Sequence, residues 1–166
     1  MIYYFNERDS LDIFKKRDEQ IGVLNRKSPK NCMNFFKKLL KTPFSISGIV
    51  GQKNTRMDIE RHLKHNISKS IQYDSFYDNW LNDMSEICKM FCIFQKQKKV
   101  SFWLGSDRGC KRYHVDMVPF RLLVTYSGQG TEILPNEAAD RNAFIQGESN
   151  EKIVRDKSKL MHLSDW

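Results

Sequence analysis

Apolar residues before Lys99 recur mostly at helical spacing, and beyond it they gather into short runs of strand character. The clearest helix is expected from Asp74 to Gln95, where Trp80, Met84, Ile87, Cys88 and Phe91 follow the 3.6-residue period and Asp78, Asn82, Glu86 and Lys89 fall mostly opposite. A second is expected over Cys32 to Leu40, with Met33, Phe36, Leu39 and Leu40 on one face. Ser28-Pro29 and Asn31 introduce it and Thr42-Pro43 ends it, because proline disfavours helical geometry in the residue before it. Thr55 to His65 reads as a weaker helix, and Ile21 to Leu24 as a short strand. Val100 to Leu104 has strand propensity and runs into the turn Gly105-Ser106-Asp107. Phe120 to Tyr126 reads as a further strand, interrupted by Ser127-Gly128-Gln129-Gly130 and resumed over Thr131 to Leu134. A helical N-terminal half followed by a strand-rich half predicts an α+β fold.

A length of 166 residues suits one domain, taken as residues 1–166, and is too short to argue for two. With 40% hydrophobic and 29% charged residues, the composition is that of a globular chain. The apolar runs are far shorter than the ~20 residues that cross a bilayer, and no signal peptide opens the chain, so no membrane partner and a cytoplasmic location are expected. The net charge of +8 raises nucleic acid as a partner. The basic residues are scattered, however, and no nucleic-acid-binding signature accompanies them, which argues against that partner. Four cysteines without a secretory signal are expected to be reduced. Cys88 and Cys92 lie in the apolar stripe of the long helix and read as core, whereas His62 and His65 sit among polar neighbours and read as exposed.

The candidate chemistry lies in Cys110-Lys111-Arg112-Tyr113-His114-Val115-Asp116. On an extended segment, side chains at i and i+2 leave the same face, so His114 and Asp116 point together and Val115 away. That pair is two-thirds of the two-His-one-carboxylate face that holds non-haem Fe(II). It would equally present imidazole nitrogen and carboxylate oxygen at ~2.0–2.2 Å from a zinc ion. Cys110, four residues before His114, leaves a Cys/His/Asp site open. A His hydrogen-bonded to a nearby carboxylate needs no metal, so spacing alone leaves a structural pair open as well.

The motif continues through Pro119, Arg121-Leu122-Leu123, Thr125-Tyr126, Gly128, Gly130-Thr131-Glu132, Leu134-Pro135 and Ala139-Asp140-Arg141. This order resembles the bacterial family known as domain of unknown function 1826, with Ile133 where the family usually has tryptophan. The resemblance is strong over about Trp80 to Arg141 and loose over the first seventy residues.

The resemblance implies, by motif order, a partial double-stranded β-helix of cupin-like type, with His114 and Asp116 as the first two ligands of a divalent metal, Fe(II) or Zn. Arg121 and Glu132 would line the site or orient its ligands. It also implies a link to metal-handling partner proteins. Family members continue into a segment that supplies a distal histidine, so this chain is expected to be truncated at its C-terminus. His162, the only histidine after the motif, precedes that segment by order and is not counted among the ligands. Three functions are thus expected in competition: an Fe(II)-dependent oxygenase, a non-catalytic metal-homeostasis protein, and a basic interaction module without metal.

Overall fold

The computed structural model describes residues 2–5, 11–107 and 109–165, which gather into two compact units, residues 2–107 and 109–165. In the first unit, strand β1 (Ile2–Phe5) pairs in parallel with β2 (Ile21–Leu24), and helix α1 (Leu11–Phe14) lies between them in sequence. Helix α2 (Cys32–Leu39) follows, then strand β3 (Ser45–Gly51) and helices α3 (Thr55–Leu63), α4 (Lys69–Gln72) and α5 (Tyr77–Gln95). Strand β4 (Lys99–Gly105) returns antiparallel to β3, in register from Ser45 opposite Gly105 to Gly51 opposite Lys99.

Alternation along β3 and β4 sends Ile46, Val50 and Val100 inward. Gly48 shares that face, and the His62 imidazole fills the space beside it: a Cβ at position 48 would lie 2.2 Å from the ring. His62 also stacks on Phe102 and bonds through Nε2–H to the Ile49 carbonyl at 3.0 Å. His62 is therefore half-buried and structural, while His65 is exposed as the sequence suggested. The core is completed by the rings of Phe35, Phe36, Phe76 and Trp80, whose centroids lie 5.1–6.1 Å apart in tilted and edge-on pairs. On α2 the buried face is Cys32, Phe35, Phe36 and Leu39, so Met33 and Leu40 point to solvent, contrary to the expected stripe. The buried hydroxyls of Thr55 and Ser85 satisfy each other at 2.7 Å, tying α3 to α5.

The second unit has a smaller core, with Ala138, Ala139 and Ile153 as its buried apolar side chains among the described residues. Strand β5 (Glu132–Ile133) pairs antiparallel with β6 (Met161–His162), and helices α6 (Arg141–Ile145) and α7 (Asn150–Ile153) lie between them in sequence. Asp140 caps α6 by accepting from the Ala143 N–H at 3.0 Å. Gly130 passes beneath the backbone of Leu163 so closely that a Cβ there would sit 1.9 Å from the Leu163 carbonyl oxygen.

The expected division into a helical half and a strand-rich half is wrong. The fold is mixed α/β: three strands precede the long helix, two helices follow the motif, and every sheet of the described residues has only two strands. Neither a barrel nor a double-stranded β-helix forms among the described residues. The error has two physical sources. Ser45–Gly51 hides its apolar alternation behind glycine and serine, yet it is the partner of Val100 to Leu104. Phe120 to Tyr126 has strand propensity, but residues 109–131 form neither helix nor strand, and Val118, Phe120 and Leu123 remain exposed. Propensity for strand describes a fit to a pleated, half-buried surface, and no sheet is there to offer one.

Candidate functional site

The segment carrying the motif is fixed by side chains rather than by a ladder. Arg112 donates from Nε and Nη2 to the Glu148 carbonyl and from Nη2 to the Phe144 carbonyl, at 3.1–3.3 Å. Asn150 donates to the Lys111 carbonyl at 2.7 Å and accepts from the Tyr113 N–H at 3.0 Å. The backbone on either side of Arg112 is thereby held against the region of α6 and α7.

From this frame His114 and Asp116 project together, with Nε2 of the imidazole 3.4 Å from Oδ1 of the carboxylate. The Arg112 carbonyl lies 2.9 Å from His114 Nδ1. A carbonyl only accepts, so Nδ1 carries a hydrogen; in the neutral ring the Nε2 lone pair then faces Asp116, whereas in the protonated ring the two groups form an ion pair. Asp116 Oδ2 is held by Arg121 Nε at 3.1 Å. Its Oδ1 is buried and has no hydrogen-bond partner among the described residues. In the neutral tautomer two acceptors face each other across the gap.

The other residues expected around the site lie differently. Cys110 is exposed, and its Sγ contacts the Arg112 carbonyl at 3.5 Å, the same oxygen that holds His114 Nδ1. Arg121 lies against Asp116, where an orienting partner would stand. Glu132 instead accepts from the Tyr113 hydroxyl and faces His162 Nε2 at 3.5 Å, opposite it in the β5–β6 register. The link between Tyr113, Glu132 and His162 escapes sequence reasoning, because only the pairing of two-residue strands brings it together. Among the described residues, no three His, Cys, Asp or Glu side chains converge into a group fit to hold a metal ion.

Fold and site thus define a mixed α/β protein carrying a histidine–aspartate pair on a loop that its own side chains brace. The chain belongs to the family of proteins of unknown function DUF1826, which it matches over residues 6–165, well beyond the motif region. No curated protein and no solved structure matches it. Among the described residues, no helix is long and apolar enough to cross a membrane.

Proposed function

We propose that this protein binds a divalent cation, Fe(II) or Zn, through His114 Nε2 and Asp116 Oδ1. The observation that carries the reading is the 3.4 Å approach of His114 Nε2, an acceptor in the neutral ring, to a buried carboxylate oxygen that has no donor among the described residues. Such an approach is unfavourable until positive charge stands between the atoms. A cation ~2.1 Å from each donor, at a near-tetrahedral angle, would set them ~3.4 Å apart. Imidazole with carboxylate is a donor set that suits both metals.

The roles of the surrounding groups follow from their contacts. The Arg112 carbonyl holds the imidazole in the ligating tautomer, and Arg121 pins Oδ2 so that Oδ1 stays turned inward. With two protein ligands, the remaining coordination positions would fall to solvent, a substrate or a partner protein. A bound ion would supply Lewis-acid character to whatever filled them. A metal-handling role needs nothing more, whereas an oxygenase of the facial-triad type requires a third protein ligand.

Equilibrium dialysis of the metal-free protein against Zn(II), and anaerobically against Fe(II), tests this reading. One equivalent is expected to bind. His114→Ala and Asp116→Ala should each weaken binding by more than the ~10–100-fold that loss of an outer partner brings. Stoichiometric metal that survives both substitutions would sink the site. If a proton rather than a metal occupies the gap, the parent protein binds no ion. Iron-dependent consumption of 2-oxoglutarate would extend the function to oxygenase chemistry.

A further inference from the structure

The second histidine–carboxylate pair of this unit is built in the opposite sense from the first. Gln129 Nε2 lies 3.4 Å from His162 Nδ1, and an amide N–H can only donate, so Nδ1 accepts. The neutral His162 ring then carries its hydrogen on Nε2, which faces Glu132 Oε2 at 3.5 Å. The other carboxylate oxygen, Oε1, accepts from the Tyr113 hydroxyl. Hydrogen bonds join Gln129 to His162 and Tyr113 to Glu132, and between them His162 Nε2 faces Glu132 Oε2 as an ion-pair contact. Donor faces acceptor along this row, unlike the gap between His114 and Asp116.

We propose that Glu132 and His162 are positioning residues for His114, acting through Tyr113. Tyr113 is bonded to His114 covalently, and its side chain and backbone N–H are tied to different partners, Glu132 and Asn150. Those two ties fix Tyr113 and the peptide that joins it to Arg112, whose carbonyl holds His114 Nδ1. They matter because residues 109–131 form neither helix nor strand, so no regular ladder sets that peptide's orientation. Glu132 is in turn fixed by its place in β5, opposite His162 in β6, where the chain also closes with a bond from the Leu163 N–H to the Thr131 carbonyl at 2.9 Å. The proposal rests on the metal-binding reading for its consequence and on the Tyr113 linkage for its geometry. The role once expected of Glu132, orienting a ligand, is thus assigned to it at one remove.

The test uses Co(II) as the probe, with affinity and the visible absorption of the bound ion as readouts. Tyr113→Phe, Glu132→Ala and His162→Ala are expected to weaken Co(II) binding ~10–100-fold and to alter the spectrum. Glu132→Gln still offers an oxygen to Tyr113 and should stay within a few-fold of the parent. Ile153→Ala, which opens a cavity in the core of the same unit, should lower the melting temperature and leave affinity unchanged below it. Affinities that follow the melting temperature across all these variants, or that match the parent throughout, overturn the proposal. A parent protein that binds no Co(II) defeats the metal reading instead. The His114 tautomer, read by nitrogen-15 NMR of the metal-free protein, then decides the positioning role. A parent protonated at Nδ1 and a mixed population in Tyr113→Phe support it, and identical tautomers in both overturn it.

Discussion

Cys88 and Cys92 stand one turn apart on α5, a spacing that suits a thiophilic metal as well as it suits a core. Their surroundings decide the matter. Burial pushes the Cys88 thiol up to about 12, helped by the neighbouring Cys92, and burial raises Cys92 as well. The thiolate is the reactive and ligating form, so at neutral pH neither residue offers it, and Cys88 would do so only near its raised value. Cys110 is exposed. Brief treatment of the native protein with iodoacetamide at neutral pH is therefore expected to modify Cys110 and spare Cys88 and Cys92, as read by peptide mass spectrometry. Modification of Cys88 at a rate comparable with Cys110 would show that its burial is overstated. The approach of His114 to Asp116 was legible in the sequence because it needs only extended backbone over three residues. The partnership of Glu132 with His162 was not, because it depends on the register of two strands far apart in the chain.

At the scale of elements, α5 ends on Lys96 in the left-handed region, at φ 54° and ψ 39°. The Gln97 N–H bonds to the Cys92 carbonyl and the Lys96 N–H to the Ile93 carbonyl, the paired bonds of a Schellman ending. Lysine holds this conformation at a cost of ~1–2 kcal/mol that glycine avoids, against ~0.5–1 kcal/mol of extra chain entropy that glycine loses on folding. Lys96→Gly is thus expected to stabilise the protein by about 0.5–1 kcal/mol, measured as a higher urea midpoint with an unchanged slope. An unchanged or lower midpoint would mean that the side chain contributes more at this exposed end than its backbone costs. The helix itself was readable from its apolar period, and β2 was found at its observed bounds from four residues of apolar character. Strand β3 was missed, because glycine at 48 occupies an inward position that pattern reading expects to be apolar. Phe120 to Tyr126 was overread, since β-branched and aromatic residues signal a strand only where a neighbouring strand exists to receive them.

Across the whole molecule the two units differ in what holds them. The first rests on clustered aromatic rings and a seven-residue strand pair, the second on Ala138, Ala139, Ile153 and a two-residue pair. Hydrogen exchange should therefore be slowest in α5, β3 and β4 and fastest across residues 109–131, because opening that segment exposes little buried apolar surface. Protection at residues 117–126 equal to that of α5 would contradict this order. The frame around the motif has a further consequence for how the sequence can change. Arg112 and Asn150 grip the carbonyls of Glu148 and Lys111, which every amino acid possesses. The side chains at 111 and 148 can drift without loosening the frame. The shape is inherited through Arg112 and Asn150, whose side chains make those bonds.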